Sequence, residues 1–230
     1  MMPKIFGIEH ILFMLIMIII GIITLIIAKK KITTDDSKRK FFMCLGFIGL
    51  FFILATRISV CFNLYNKNFW YLIPETFCGT NSLVLSLVLI FGKKNNIFFH
   101  ILWLFTLLTC GLSFIYPTYI GQNESIFYPS TIFSLFHHAI TLFNVIAILV
   151  LGYMEVSYKK AWVQLFYLIY ALCMGHFMIY VLKFNDAFYL KEPLMAGLKF
   201  WVMFPLYLVF ASLVFALIEL FKYLKKKKIS

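Results

Sequence analysis

Apolar residues run almost without interruption in stretches of about twenty, the length a helix needs to cross a bilayer core roughly 30 Å thick. Such stretches lie at 8–28, 41–62, 71–91, 97–116, 132–151, 161–181 and 198–221. The pattern predicts an all-α polytopic transmembrane bundle of about seven spans, with a count of six left open because the boundaries are soft. The third and fourth spans are joined by little more than Lys93, Lys94, Asn95 and Asn96, a tight connection that predicts an antiparallel pair. The first stretch lacks a small-residue cleavage site and ends in Lys29, Lys30 and Lys31, so it is expected to stay as a span rather than be removed as a signal peptide. The connection from Pro117 to Ser130, with Tyr119, Gln122, Asn123, Glu124 and Tyr128, is expected to be the longest outer loop, mobile and covering what lies beneath it.

Composition sharpens this picture. Of 230 residues, 63% are hydrophobic and 13% charged, against roughly 45–50% and about 25% in a soluble domain. A water-soluble fold is excluded, and the apolar runs consume the length, so a single membrane domain (1–230) is expected. The net charge of +12 raises nucleic acid as a partner. However, the lysines sit in short clusters between apolar runs, not along a face interleaved with aromatics, so the expected partners are membrane lipids and no nucleic acid.

The same clusters orient the chain. One side carries Lys29, Lys30, Lys31, Lys38, Arg39, Lys40, Lys93, Lys94, Lys159, Lys160, Lys222 and the run Lys225 to Lys228; the other carries Lys4, Lys67, Lys183, Lys191 and Lys199. Fifteen against five, with Arg57 left inside a span, predicts that the first side is cytoplasmic. With seven spans the N-terminus is then outside and the C-terminus cytoplasmic, in a multi-pass protein of the cell membrane. The terminal lysines serve to anchor the chain against anionic lipid heads.

Ionisable groups within a membrane cost a few kcal/mol each, roughly, so those present are candidates for function. His10, Arg57, Glu75, Cys78, His138 and His176 all fall in the outward third of the bilayer on this topology. Glu75, Cys78, Ser82 and Ser86 recur at three and four residues, which places them on one helical face turned to the bundle interior. Pro74 suits the first turn of that helix. The helix N-terminus together with Arg57 would favour a Cys78 thiolate, with Glu75 opposing unless Arg57 neutralises it.

Plainer readings stand beside these. A cysteine in a membrane helix packs as a small residue, histidines near span ends sit in the interfacial zone, and Arg57 with Glu75 forms an ion pair between helices. The five cysteines, Cys44, Cys61, Cys78, Cys110 and Cys173, show no metal-ligand spacing, although Cys61 and Cys78 both fall near the outer surface and could meet. His137 and His138 are adjacent and point in different directions, which disfavours a shared ion. A set of His10, His138 and Cys78 is the one metal arrangement conceivable. No metal and no cofactor is expected.

Three segments carry a family likeness. Phe6-Gly7-Ile8-Glu9-His10-Ile11, Ile73-Pro74-Glu75-Thr76-Phe77-Cys78 and Phe136-His137-His138-Ala139 resemble the opening, the Leu-Pro-Leu-His-Leu-Cys motif and the Ser-His-Gly segment of the YwaF-like bacterial integral membrane proteins. That family is itself distantly similar to a eukaryotic transmembrane acyltransferase acting on phospholipids. The chain departs from the motif in one place: Thr76 stands where the family has a histidine, which puts any chemistry of that histidine in doubt.

The resemblance implies an acyl-transfer or hydrolase site in which Cys78, deprotonated by His138, attacks a lipid ester near the outer leaflet and forms a thioester. His10 would polarise the carbonyl, Arg57 would hold a phosphate bidentately, and Glu75 and His176 would complete substrate binding. The alternative is a substrate-binding or transport protein for a small solute, which needs no thiol; a structural or assembly factor is a third reading.

Overall fold

In hydrocarbon every backbone polar group must be satisfied within its own segment, so each apolar stretch becomes a helix. The computed structural model describes residues 4–63, 68–118, 125–192 and 200–227. Among them the α-helices are α1 (Ile8–Lys31), α2 (Asp35–Asn63), α3 (Phe77–Phe91), α4 (Ile97–Ile115), α5 (Pro129–Val150), α6 (Gln164–Tyr180) and α7 (Phe200–Lys227), with no strand among the described residues. Six stretches are long and apolar enough to cross a membrane: α1, α2, α4, α5, α6 with the 3-10 turn Tyr158–Val163 leading into it, and α7. The polytopic helical bundle expected from the pattern is therefore what forms. Tyr119, Gln122, Asn123 and Glu124 of the expected outer loop lie outside the described residues, as do Lys67, Lys199 and Lys228.

The third span departs from expectation. A helix over 71–91 gives way to a 3-10 turn at Phe69–Leu72, an extended stretch, and a 15-residue α3 that begins only at Phe77. Pro74 is the cause: it has no N–H and biases Ile73 away from the helical region. Pro74 thus precedes α3 instead of occupying its first turn, and Glu75 is not on the helix. Thr76 is the N-cap, its Oγ1 accepting the Gly79 N–H at 3.2 Å. At the other end Arg39 donates to the carbonyls of Leu89, at 2.7 Å, and Ile90. Both ends of this short helix are thereby held by side chains.

Helices α2, α3, α4 and α5 form the centre. By contrast, α1 buries only His10 and Ala28. Close approach of α2 to α3 depends on Gly46: a Cβ there would sit 2.8 Å from the Ser86 carbonyl oxygen and 2.9 Å from Leu89 Cβ. At Gly111 a Cβ would meet only Leu142 Cδ1, at 3.9 Å. Gly46→Ala is expected to destabilise the bundle by about 1–3 kcal/mol through overpacking. Gly111→Ala should be neutral or stabilising by up to about 1 kcal/mol, because alanine favours the helix. Thermal unfolding in detergent measures both, and equal midpoints for the two variants would contradict this account of the α2–α3 contact.

Candidate functional site

A cavity of about 280 Å³ opens among the end of α2, the segment before α3, the N-terminal ends of α3 and α5 and the C-terminal end of α4. Arg57, Glu75, Cys78 and His138 all line it. Three of the expected polar positions on α3 are buried, Cys78 at 9%, Ser82 at 0% and Ser86 at 1% exposure, so that stripe does face the bundle interior.

Cys78 is the second residue of α3, where backbone N–H groups have no partner one turn earlier. Its Sγ lies 3.2 Å from Ser113 Oγ on α4, and Cys110 and His138 are neighbouring groups. His138 Nδ1 is 2.6 Å from the Ser134 carbonyl one turn back on α5. A carbonyl only accepts, so Nδ1 carries the proton in the neutral ring and Nε2 is the nitrogen able to accept one. A thiol, a base and a group that orients the base therefore occur together, in the arrangement that nucleophilic catalysis requires.

His137 also lines this cavity. Successive helical residues diverge by about 100°, and the cavity spans that arc: His137 turns toward Thr56 on α2, while His138 turns toward Cys78 on α3. The two ring centroids are 3.9 Å apart. His137 Nδ1 lies 3.3 Å from Thr56 Oγ1.

Arg57 answers a need created by Pro74. Where the chain is not helical at membrane depth, its carbonyls require donors. Arg57 Nε and Nη2 donate to the Tyr71 carbonyl, at 2.9 and 2.5 Å, Nη2 reaches the Ile73 carbonyl at 3.4 Å, and Nη2 also pairs with Glu75. The guanidinium fork expected to grip a phosphate bidentately is already engaged.

Two expected ligand residues sit elsewhere. His10 is 1% exposed, accepting the Phe6 N–H at Nδ1 and donating from Nε2 to the Phe114 carbonyl, each at 3.2 Å. Both its nitrogens are used in tying α1 to the end of α4, so none remains to polarise a carbonyl. His176 is exposed on α6, bonded to the Leu172 carbonyl and stacked on Tyr180. Nor do Cys61 and Cys78 meet: the Cys61 thiol donates to the Asn68 carbonyl at 3.3 Å, and all five cysteines are free.

The segment after α6 reaches over the site. Phe188 N–H donates to the Glu75 carbonyl at 2.8 Å and Phe184 stacks on Tyr71 at 4.3 Å. Lys183, Phe188 and Tyr189 take left-handed φ values of 62°, 53° and 59°, a conformation that side chains with a Cβ adopt only when their surroundings hold them there. The turn delivers Tyr189 to the cavity wall. Burial, then the neighbouring Cys78 and Glu75, push its phenol up, so it stays neutral at physiological pH.

A family model described as the TMEM164 family matches residues 5–223. The chain belongs to the TMEM164 family. It is accordingly a multi-pass membrane protein of a transmembrane family. No curated protein and no solved structure matches it. The TMEM164 match runs through all three segments singled out by resemblance and every residue lining the cavity. Within this TMEM164 family protein, His137, Thr56, Ser113 and Tyr189 are among the cavity residues that sequence reasoning did not assign. Only Ser113 left a trace, standing three positions beyond Cys110 on the same helical face.

Proposed function

We propose that this chain is a membrane-embedded thiol acyltransferase or hydrolase acting on a lipid ester near the outer leaflet of the cell membrane. The observation that carries this reading is that Cys78 and a His138 whose Nδ1 is anchored line one cavity. His138 Nε2 takes the thiol proton, sulfur attacks the ester carbonyl, and the lipid alcohol leaves with that proton. The Phe77 and Cys78 amides, in the first turn of α3, would serve as donors to the developing oxyanion. The resemblance to the YwaF-like proteins points to the same chemistry.

An apolar groove of about 570 Å³ between α1 and α5 is lined by Phe13, Ile16, Ile20, Ile132 and Phe136. It offers an acyl chain a surface one residue around α5 from His137. The solute-binding alternative draws less support, because Arg57 and Glu75 already satisfy each other and two backbone carbonyls.

The test is direct. Purified protein in phosphatidylcholine vesicles carrying a labelled acyl chain should acquire a hydroxylamine-sensitive label on the peptide containing Cys78. Labelling that is absent, or that survives in Cys78→Ala, would rule out the thioester.

A further inference from the structure

The Cys78 sulfur has a partner that the reaction above leaves unused. Ser113 Oγ lies 3.2 Å from it, across the contact between α3 and α4. A hydroxyl inside a helix commonly gives its proton to the carbonyl one turn back. Those of Thr56, Thr109 and Ser212 do so here, to Phe52, Phe105 and Leu208, each at 2.8 Å. Ser113 makes no such bond: among the described residues its oxygen meets the Cys78 sulfur instead. Its proton is therefore not committed to the backbone and is free to turn toward sulfur. The stretch of α4 that carries Ser113 is held in place from outside the cavity, because the carbonyl of the next residue, Phe114, accepts from His10 Nε2 at 3.2 Å.

In the resting thiol either atom of the Cys78–Ser113 pair can donate. The thiolate decides the direction. Once sulfur has lost its proton it only accepts, so the hydrogen bond to it has to come from the serine. Resting on the thioester reading above, we infer that Ser113 is a further catalytic residue, the hydroxyl donor that holds the Cys78 thiolate. It keeps its own proton throughout. As the sulfur–hydrogen bond breaks and that proton passes to His138 Nε2, the Ser113 O–H takes up part of the charge left on sulfur. Attack on the ester carbonyl neutralises the sulfur and the bond weakens. When the carbon–sulfur bond later breaks and its electron pair returns to sulfur, the same donor meets it again. A hydrogen bond to an ion is about twice as strong as one between neutral groups, and stronger still where water does not compete.

The test follows the ionisation of Cys78 separately from its acylation. The full-length protein in phosphatidylcholine vesicles is alkylated with iodoacetamide over a pH series, and the modification is read by mass spectrometry on the peptide containing Cys78. Ser113→Ala is expected to move the midpoint of alkylation upward by about one to two pH units, the equivalent of one hydrogen bond to a charged group. Acyl transfer should fall about tenfold or more in the same variant. Ser113→Thr restores the hydroxyl and should return most of both. Other ionisable groups that line the cavity or adjoin the sulfur are Arg57 on α2, Glu75 before α3, Cys110 on α4, His137 and His138 on α5, Tyr167 on α6 and Tyr189 after it. They are unchanged in every variant, so the shift reads the hydroxyl. An unmoved midpoint in Ser113→Ala, an equal shift in Ser113→Thr, or acyl label on the peptide containing Ser113 would overturn the inference. Wild-type protein that alkylates at Cys78 but takes up no acyl label would instead remove the thioester reading on which it rests.

Discussion

Changing Cys78 to alanine is expected to reduce acyl transfer from phosphatidylcholine at least about a thousandfold, since it removes the thiol that the proposed mechanism uses to form the covalent bond. Serine at the same position should lose nearly as much. A hydroxyl is far harder to ionise than a thiol, and His138 is placed for a sulfur that already lies 3.2 Å from Ser113 Oγ. His138→Gln should fall by roughly a hundred- to ten-thousandfold, with lipid binding retained. The decisive comparison is turnover against lipid binding in one vesicle preparation. A Cys78→Ser variant that keeps its full function would favour solute binding over catalysis.

The second large effect concerns stability. Arg57 is 6% exposed and satisfies the carbonyls of Tyr71 and Ile73 besides pairing with Glu75. Arg57→Met is expected to destabilise the protein by about 3–5 kcal/mol, because it strands a partly buried carboxylate and two carbonyls at once. Glu75→Gln keeps an acceptor for the guanidinium and leaves the carbonyl contacts intact, so about 1–2 kcal/mol is expected. The double variant should recover only the carboxylate's share. Unfolding midpoints in detergent decide the matter: equal losses for the two single variants would mean that Arg57 acts mainly as a partner for Glu75 and not as the support of the broken third span.

Much of the site was legible because an ionisable group inside an apolar run stands out whatever the fold. Arg57, Glu75, Cys78 and His138 announced themselves in this way, and they do share one cavity. His10 and His176 announced themselves equally well and do not line it. Rarity in a span marks a residue that needs a partner, and His10 found its partners in the backbone of Phe6 and Phe114. His137 was set aside as a partner of His138 on one metal ion because of its direction, but whether it lines the cavity depends on how wide an arc the neighbouring helices leave open.

The sequence by itself determined that the chain is a multi-pass helical membrane protein and which polar groups required an explanation. Those are local properties: hydrophobicity and length decide whether a segment enters a bilayer, and lysine placement weights its orientation. Only the tertiary structure decided that the third span begins as non-helical chain held by Arg57, that the turn after α6 brings Tyr189 to the cavity, and that both histidines of α5 share it. Each of these depends on contacts between residues far apart in the sequence, such as Arg57 with Tyr71, Glu75 with Phe188, and Thr56 with His137. Neither periodicity nor composition encodes a distance between two helices.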